Sequence, residues 1–219
     1  MTLDFSIIPG IIPALLLGTR LTVELAVIAV AIGLAIGSFV GIGRVGSRRI
    51  VRTITGIYVD FIRGTPLLVQ LFLVYFGLPQ LIGRPVPPFT AAIAAMGINS
   101  GAYVAEIVRA GIQSIDKGQM EAARSIGLTS PQAMRYIIFP QAFRRIIPPL
   151  GNEFIAMLKD SSLVSVIALE ELLRKGQVII TRTFRPFEIY MVVALIYLIM
   201  TLIISRLVAW SEKRLKVVD

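Results

Sequence analysis

The chain contains no cysteine and no histidine among its 219 residues. Their absence excludes disulfide bonds, cysteine nucleophiles, thiolate or imidazole metal ligands, and histidine proton relays. Charged residues are also scarce at 16%, compared with roughly a quarter in ordinary soluble domains. With 56% hydrophobic residues and a mean hydropathy of +0.81, the chain is expected to have lipid as its solvent.

Long apolar segments without alternating polarity indicate membrane-spanning helices. Leu21–Ile42 and Ile189–Ser205 contain about the 20 mainly apolar residues that one spanning helix needs, and neither alternates in the manner of a barrel strand. The first apolar segment has no preceding basic region and is too long for a cleavable signal peptide, so a retained helix is expected. The sequence therefore predicts an all-α integral membrane protein.

Basic residues mark the segments that are expected in the cytoplasm. The net charge of +9 comes from short runs between apolar segments, a distribution typical of the positive-inside rule and not of nucleic-acid binding. The runs extend from Arg44 to Arg52, from Arg109 to Arg145 and from Arg206 to Lys216, whereas the first 12 residues contain no basic residue. An outer N-terminus and a cytoplasmic C-terminus follow.

The number of crossings follows from the same orientation. The chain must leave the cytoplasm after Arg145 and return before Lys213, so one crossing besides the obvious last one is required. The Pro-rich stretch from 136 to 158 is the remaining candidate, since a polar helix of this kind is tolerated when other helices bury it. We expect a single domain over residues 1–219, with a cytoplasmic loop at 113–135 and an outer loop at 161–185. The five predicted spans are 13–43, 52–82, 88–112, 136–158 and 187–211.

Three glycines in the first span recur every four residues. Gly33, Gly37 and Gly41 follow the small-residue spacing that lets helix backbones approach closely in lipid, so we interpret them as packing residues. The overlapping Gly41–Gly46 segment matches a dinucleotide-binding fingerprint, but it follows an apolar helix and opens no βαβ unit. The chain also has no Gly-x-x-x-x-Gly-Lys-Ser/Thr loop, so any ATP that drives it must bind to another subunit.

The cytoplasmic loop carries the signals of two short helices. Gly118 precedes a predicted helix from Gln119 to Ile126, and Gly127 is expected to end that helix. Ser130 is expected to cap a second helix that begins at Pro131. The two helices would form a compact knob on the cytoplasmic face. The alternative is a structured loop with no further role.

The knob resembles the Glu-Ala-Ala motif of the permease subunits of binding-protein-dependent ABC importers. The motif stands here as Glu121-Ala122-Ala123, followed by Gly127 and by Ile137-Ile138-Phe139-Pro140. The triplet alone would be uninformative, but the triplet, the glycine and the apolar ending occur together at the family's spacing. The resemblance implies a coupling helix that docks into a groove of an ATPase subunit. The coupling residues that it implies are Gln119, Glu121, Ala122, Ala123, Ser125 and Gly127.

Three further segments are similar to the branch of this family that takes up polar amino acids. They are Phe61–Gln70, Gly151–Phe154 and Lys159–Ser165. The resemblance implies the type I ABC importer permease fold, with five transmembrane helices and a dimeric permease, in which a second identical copy is favoured over a related subunit. It also implies two copies of a separate ATPase that binds ATP and Mg, an extracytoplasmic amino acid binding protein, and a bacterial or archaeal cytoplasmic membrane. The chain itself would bind no cofactor or metal and catalyse no reaction.

Two acidic residues of the fourth span are candidates for binding a cationic ligand. Glu153, Met157 and Asp160 are spaced i, i+4 and i+7, so both carboxylates face one side of a helix. A rise of about 1.5 Å per residue from Arg145 places them within the membrane core, where charged groups are costly and by default functional. The alternatives are neutralisation by arginines of other spans, such as Arg63, or a role in an outer gate.

A break in the second span offers partners for the α-carboxylate of an amino acid. Gly64-Thr65-Pro66 lies about 18 Å along the helix from Arg52, at a depth similar to that of Asn99-Ser100 in the third span. Broken helices in transporters commonly present backbone N–H groups to anionic substrate groups. Two carboxylates favour arginine, lysine or histidine as the substrate. The predicted substrate-binding residues are Thr65, Leu67, Leu68, Asn99, Ser100, Glu153, Met157, Asp160 and Ser161.

Two other classes of protein remain as alternatives. Intramembrane carboxylates would also suit a secondary transporter or channel that needs no nucleotide, although such a protein has no use for the knob. A membrane enzyme would need aspartyl or serine chemistry, for which no motif is present. The remaining charged pairs, Arg20 with Glu24 and Asp60 with Arg63, are spaced as helical ion pairs and are interpreted as structural.

Overall fold

The chain is helical in every regular element that the structure describes. The computed structural model describes residues 5–215, and Lys216 of the last basic run lies outside them. Two 3-10 segments, Phe5–Ile7 and Ser161–Ile167, and two π-helical turns, Leu73–Gly77 and Met134–Ile138, accompany the α-helices. The α-helices are α1 Ile8–Val45, α2 Arg49–Arg63, α3 Leu67–Phe72, α4 Leu78–Ile82, α5 Pro88–Gln113, α6 Lys117–Ser125, α7 Ser130–Ala133, α8 Phe139–Asp160, α9 Leu172–Thr183 and α10 Pro186–Leu215. The all-α prediction is confirmed.

Three helical stretches of the described residues are long and apolar enough to cross a membrane. They are Phe5–Val45, Pro88–Gln113 and Pro186–Arg214, which contain most of the predicted first, third and fifth spans. Helix α2 with residues Leu67–Ile82 adds a fourth if this bent pair is one span. Helix α8 is not among them, because it has two internal prolines and several charged residues. Its crossing, and with it the count of five, stays a prediction.

The predicted break in the second span is present. Helix α2 ends at Arg63 with Gly64 as its C-cap, and α3 begins at Leu67 with Pro66 as its N-cap in an extended conformation. Proline has no backbone N–H and disfavours helical geometry in the residue before it, and with the flexible Gly64 before this pair it favours an interruption at Thr65-Pro66. The predicted second span therefore consists of separate helices on the two sides of Gly64-Thr65-Pro66.

The chain packs into two compact units that interleave along the sequence. The first unit contains the chain up to Ala31, Thr65–Gly97 and Phe154–Ile204. The second contains Ile32–Gly64, Ile98–Glu153 and residues 205–215. Helices α1, α5, α8 and α10 contribute residues to both. Each unit has its own apolar core.

The first unit is built around two apolar clusters. One joins residues of α1, α3, α5 and α8, including Leu25, Leu71, Met96 and Leu158, and all four are buried. The other joins α1, α9 and α10 through residues such as Leu15, Leu172 and Ile189. Aliphatic side chains are in contact all along these helices, so dispersion forces between packed side chains hold the unit together in lipid.

The second unit depends on close contact between α1 and α5. A Cβ atom added at Gly33 would lie 2.5 Å from Oγ of Ser100, and one at Gly37 would lie 2.5 Å from Cβ of Val104. A Cβ atom at Gly41 would lie 2.7 Å from the carbonyl oxygen of Ala105. No such atom fits at these distances. The sequence interpretation of the three glycines as packing residues agrees with this contact.

A buried glutamate anchors α9 within the first unit. Glu171 is the N-cap of α9, and its carboxylate accepts hydrogen bonds from the backbone N–H groups of Leu173 (2.9 Å) and Arg174 (2.7 Å). The hydroxyl of Tyr197 on α10 donates to it at 2.9 Å, and that of Thr22 on α1 donates at 3.4 Å. Four donors satisfy this carboxylate, so its role is structural.

Gly37→Ala should destabilise the protein. The added methyl group would overlap Val104, and overpacking of this kind costs about 1–3 kcal/mol. We expect a lower midpoint of thermal unfolding in detergent. The matched control is Gly56→Ala in α2, where an added Cβ atom has no neighbour within 4 Å and a gain of up to about 1 kcal/mol is expected from helix propensity. Equal midpoints for the two variants would contradict the close contact.

Glu171→Ala should also destabilise the protein, because it leaves buried donors without an acceptor. Such a loss costs about 1–3 kcal/mol, and the unfolding midpoint in detergent measures it. Glu170→Ala is the matched control, since Glu170 is exposed and pairs only with Lys175 among the ion pairs of the described residues. Exposed pairs contribute roughly 0–1 kcal/mol. A larger effect of the Glu170 variant would refute the assignment of Glu171 as the anchor.

Candidate coupling and substrate sites

The first knob helix is present but begins earlier than predicted. Helix α6 starts at Lys117, two residues before the predicted start at Gln119, because the side chain of Asp116 caps it by accepting a hydrogen bond from the N–H of Gly118 at 2.7 Å. Gly127 has a φ of +92°. Only glycine adopts that conformation readily, so the helix stops where the sequence predicts.

The second knob helix differs from the prediction in its cap and in its extent. Thr129, not Ser130, is the N-cap of α7, and it forms a capping box with Gln132. Helix α7 then continues through the π-helical turn Met134–Ile138 into α8. Pro140 has no backbone N–H and cannot donate a helical hydrogen bond, and the π-helical turn that precedes it accommodates this loss. The knob therefore consists of one separate short helix, α6, next to the continuous helical stretch that begins with α7 and continues into α8.

The predicted coupling residues divide into an outward set and one inward residue. Ala123 is buried, with 4% of its surface exposed. Ile126 was not among the predicted coupling residues, but it is 78% exposed. Its position directly before Gly127, which ends the helix, is the sequence feature that could have indicated it. An apolar side chain this exposed at a helix end is suited to contact with another protein. The other five coupling residues are exposed: Gln119, Glu121, Ala122, Ser125 and Gly127.

An apolar cluster of the second unit packs against the knob helix α6. Met120 of α6 packs against buried residues that include Ile112, Ile115 and Ile138. The amide of Gln141 donates to Oε1 of Gln119 at 3.4 Å. A cavity of about 450 Å³ lies beside these contacts. Helix α6 is thus attached to α5 and α8 by side-chain packing, and a force on α6 would reach both helices.

The candidate residues of α8 are buried or partly buried. Glu153, in the second unit, is 7% exposed, and Met157, in the first unit, is 2% exposed. Asp160 is partly buried and ends the helix, whereas its neighbour Lys159 is exposed. Because α8 is helical throughout this stretch, the i, i+4, i+7 spacing holds and both carboxylates lie on one face of the helix.

The candidate residues at the break lie in the first unit. Thr65 accepts two hydrogen bonds from the side-chain amide of Gln70, at 3.1 Å on its carbonyl oxygen and 2.9 Å on Oγ1. Leu67 and Leu68 pack against the apolar cluster that contains Met157. They form the first turn of α3, where N–H groups have no acceptor within the helix. Ser161 is buried and donates to the carbonyl oxygen of Leu158 at 2.8 Å.

Asn99 and Ser100 of α5 lie in the second unit and are buried. Ser100 contacts Gly33 of α1. Close packing of the two helices is therefore sufficient to explain a small side chain at this position, without a role in substrate binding. Its Oγ has no hydrogen-bond partner among the described residues, which leaves one buried hydroxyl able to donate. Buried polar groups without a partner are uncommon and need an explanation.

A charged cluster that the sequence did not reveal surrounds Glu106 in the second unit. Arg44 approaches this carboxylate to 3.4 Å and Arg63 to 4.0 Å, and Arg109 binds it directly. The predicted ion pair of Asp60 with Arg63 is wrong, since Asp60 lies 3.9 Å from Arg44 and Arg63 turns to Glu106. The predicted pair of Arg20 with Glu24 is also absent from the ion pairs of the described residues.

The knob, the broken helix and the apolar helices together define a membrane component of a transport system. A family model described as "Binding-protein-dependent transport system inner membrane component" matches residues 33–217. The chain belongs to this family. Proteins of this kind are transport subunits and not enzymes, because a separate ATPase hydrolyses the ATP.

Individual relatives place the chain among amino acid permeases. It is 44% identical over 178 residues to the glutamine transport system permease protein GlnP of Escherichia coli K12, covering 81% of each chain. It is 42% identical over 163 residues to the arginine transport system permease protein ArtQ of Bacillus subtilis 168, covering 74% of each. The crystal structure of an amino acid ABC transporter with histidines matches with a TM-score of 0.94 and 48% identity, over 98% of this chain and 100% of that one. The prediction of a type I ABC importer permease fold is confirmed.

Proposed function

We propose that this amino acid importer permease prefers cationic amino acids. The observation that supports the proposal is the pair of acidic residues, Glu153 and Asp160, on one face of α8. Two carboxylates on one helix face attract a positive charge, and the attraction is stronger where water is scarce. The ammonium or guanidinium group of arginine, lysine or histidine would supply that charge. Relatives named for glutamine and for arginine are about equally similar, so overall similarity does not decide the substrate.

The α-carboxylate of the substrate needs donors in addition to the acidic pair. Leu67 and Leu68 would supply backbone N–H groups at the start of α3, where the helix dipole favours an anion. Asn99 and Ser100 would add side-chain donors, and Thr65 and Ser161 would complete the polar lining. Met157 would provide the apolar surface between the acidic residues.

The transport cycle would be driven through α6. Its outward residues, with Glu121 and Ile126 among them, would dock on one of two ATPase subunits that bind ATP and Mg. Closure of the ATPases would move α6 and, through the apolar cluster beneath it, the ends of α5 and α8. Pro140, Pro148 and Pro149 weaken the hydrogen bonding of α8 and would let this helix bend between inward-open and outward-open states.

The assembly would contain a second permease subunit and an extracytoplasmic binding protein. Two copies of this chain are favoured, since one copy has too few helices to enclose a pathway. The distribution of the basic runs supports an orientation with the knob and the C-terminus in the cytoplasm and the N-terminus outside, and the membrane would be a bacterial or archaeal cytoplasmic membrane.

Uptake into proteoliposomes tests the proposed substrate class. The permease, reconstituted with the ATPase encoded beside it and with its binding protein, should accumulate labelled arginine, lysine or histidine only when ATP is supplied. Asp160→Asn should lower the apparent affinity for the cationic substrate about tenfold, because one charge-assisted contact of roughly 1.4 kcal/mol is lost. Asn152→Ala, at an exposed residue of the same helix, is the control and should leave the affinity unchanged. ATP-driven uptake of glutamine alone would refute the cationic preference, and accumulation without ATP would indicate a secondary transporter.

A second experiment tests the docking surface. Ile126→Ser should reduce binding of the ATPase about tenfold and reduce ATP-driven uptake in parallel, because an apolar side chain buried at an interface contributes roughly 1.5–3 kcal/mol. Ile50→Ser is the matched control, since Ile50 is 75% exposed at the start of α2. Co-purification of the ATPase measures binding. Equal binding by both variants would mean that α6 does not dock through Ile126.

A further inference from the structure

A second cavity of the second unit lies outside the proposed substrate residues. Its volume is about 410 Å³, which is large enough for an amino acid. Helices α2, α5 and α8 supply its charged groups. The lining residues are Arg63, Tyr103, Glu106, Ile107, Ala110, Gly111, Ser114, Arg145 and Pro149.

The cavity carries an excess of positive charge. Arg63 stands with its guanidinium 5.3 Å from the centre of the Tyr103 ring and 4.0 Å from Glu106. Arg145 donates to the carbonyl oxygen of Ser114 at 2.6 Å, which uses one of its five N–H groups. Glu106 is shared with Arg44 and Arg109, so it does not neutralise the two lining arginines.

The cavity continues the helix faces that carry the proposed substrate residues. On α5, Tyr103, Glu106 and Ala110 follow Asn99 at i+4, i+7 and i+11, so all four share one face. On α8, Pro149 and Arg145 precede Glu153 by four and eight residues on one face. The cavity therefore begins about 6 Å beyond Asn99 and Glu153, on the side of the knob and of the basic runs.

We propose that this cavity is an exit site that binds the α-carboxylate of the transported amino acid on its way to the cytoplasm. The inference rests on the proposed function, since it assumes that the substrate passes Asn99 and Glu153. The guanidinium groups of Arg63 and Arg145 match a carboxylate in shape and charge. Three arginines surround Glu106 and offset its charge, which weakens its attraction for the substrate ammonium. The site thus recognises the group that all amino acids share.

The exit site is expected to be weaker than the acidic site and open to the cytoplasmic solution. The side chain of Arg63 is 40% exposed, and partly hydrated ion pairs contribute little. Weak binding suits a release step, because a tight second site would retain the substrate. Amino acid on the cytoplasmic side would occupy the same site.

Cysteine labelling tests the exit site without relying on transport. The chain has no cysteine, so Ala110→Cys, at an exposed residue of the lining, places one thiol in the cavity. The full permease–ATPase complex is reconstituted without nucleotide, with the ATPase facing the bath. Labelling of the permease by an anionic sulfonatoethyl and a cationic trimethylammonioethyl methanethiosulfonate is then followed by mass spectrometry of the intact chain.

We expect the anionic reagent to react at least about tenfold faster than the cationic one, relative to their rates with a free thiol, since two guanidinium groups lie close to the cysteine. Arg145→Gln in the same background should lower this ratio at least threefold. Arg48→Gln is the matched control, because Arg48 is exposed in the loop between α1 and α2 and does not line the cavity. A ratio near one, or equal changes in both variants, would overturn the positive cavity.

Protection from labelling identifies the ligand. Millimolar arginine in the bath should slow labelling in the parent cysteine variant, whereas argininamide, which lacks the carboxylate, should protect at least fivefold less. Protection by inorganic phosphate equal to that by arginine would mean a general anion site and overturn the assignment. Glutamine should protect as well as arginine does. If uptake shows no cationic preference while this pattern holds, the acidic site is refuted and the exit site stands; loss of carboxylate-dependent protection refutes the exit site alone.

Discussion

The absence of water from the membrane core is the constraint on which the rest of the structure depends. A backbone or charged group that loses water must find a partner within the protein, so the chain is helical, and two of its breaks follow from local backbone geometry at Pro66 and at Gly127. The glycines of α1 serve the same constraint in another way. Without a hydrophobic drive between helices in lipid, only close approach provides enough attraction, and Gly33, Gly37 and Gly41 allow α5 to approach that closely.

Buried and partly buried acidic groups show how one residue type takes different roles under this constraint. Glu171 receives four hydrogen bonds from its own unit, two of them from backbone N–H groups of α9, and it therefore fixes structure. Glu106 sits among three arginines and holds together the ends of α1, α2 and α5. Glu153 and Asp160 are arranged along one helix face instead, and that arrangement is what makes them candidates for a mobile cation.

Local signals in the sequence predicted the elements that depend on neighbouring residues. The break at Gly64-Thr65-Pro66, the stop at Gly127 and the small-residue face of α1 follow from backbone geometry, and all three are present. The cap of α7 was misassigned by one residue, because Thr129 and Ser130 are equally good caps and only the pairing with Gln132 distinguishes them. The full Glu106 cluster and the full anchor at Glu171 could not be predicted, since Arg44, Thr22 and Tyr197 are distant in sequence from these carboxylates and meet them only after the helices pack.

The order of charges along α5 and α8 bears on how a zwitterion can leave the membrane. Glu153 and Arg145 are eight residues apart, about 12 Å along the helix, so a substrate that leaves the acidic residues travels little more than the length of an extended arginine before it meets Arg145. A substrate whose cationic end is held by carboxylates could thus place its α-carboxylate near the arginines before the cationic contact breaks. Moving one charge at a time between fixed partners avoids the cost of carrying an unpaired ion through a low-dielectric region. The same geometry disfavours passage of an inorganic cation, which would meet the arginines with nothing to offer them.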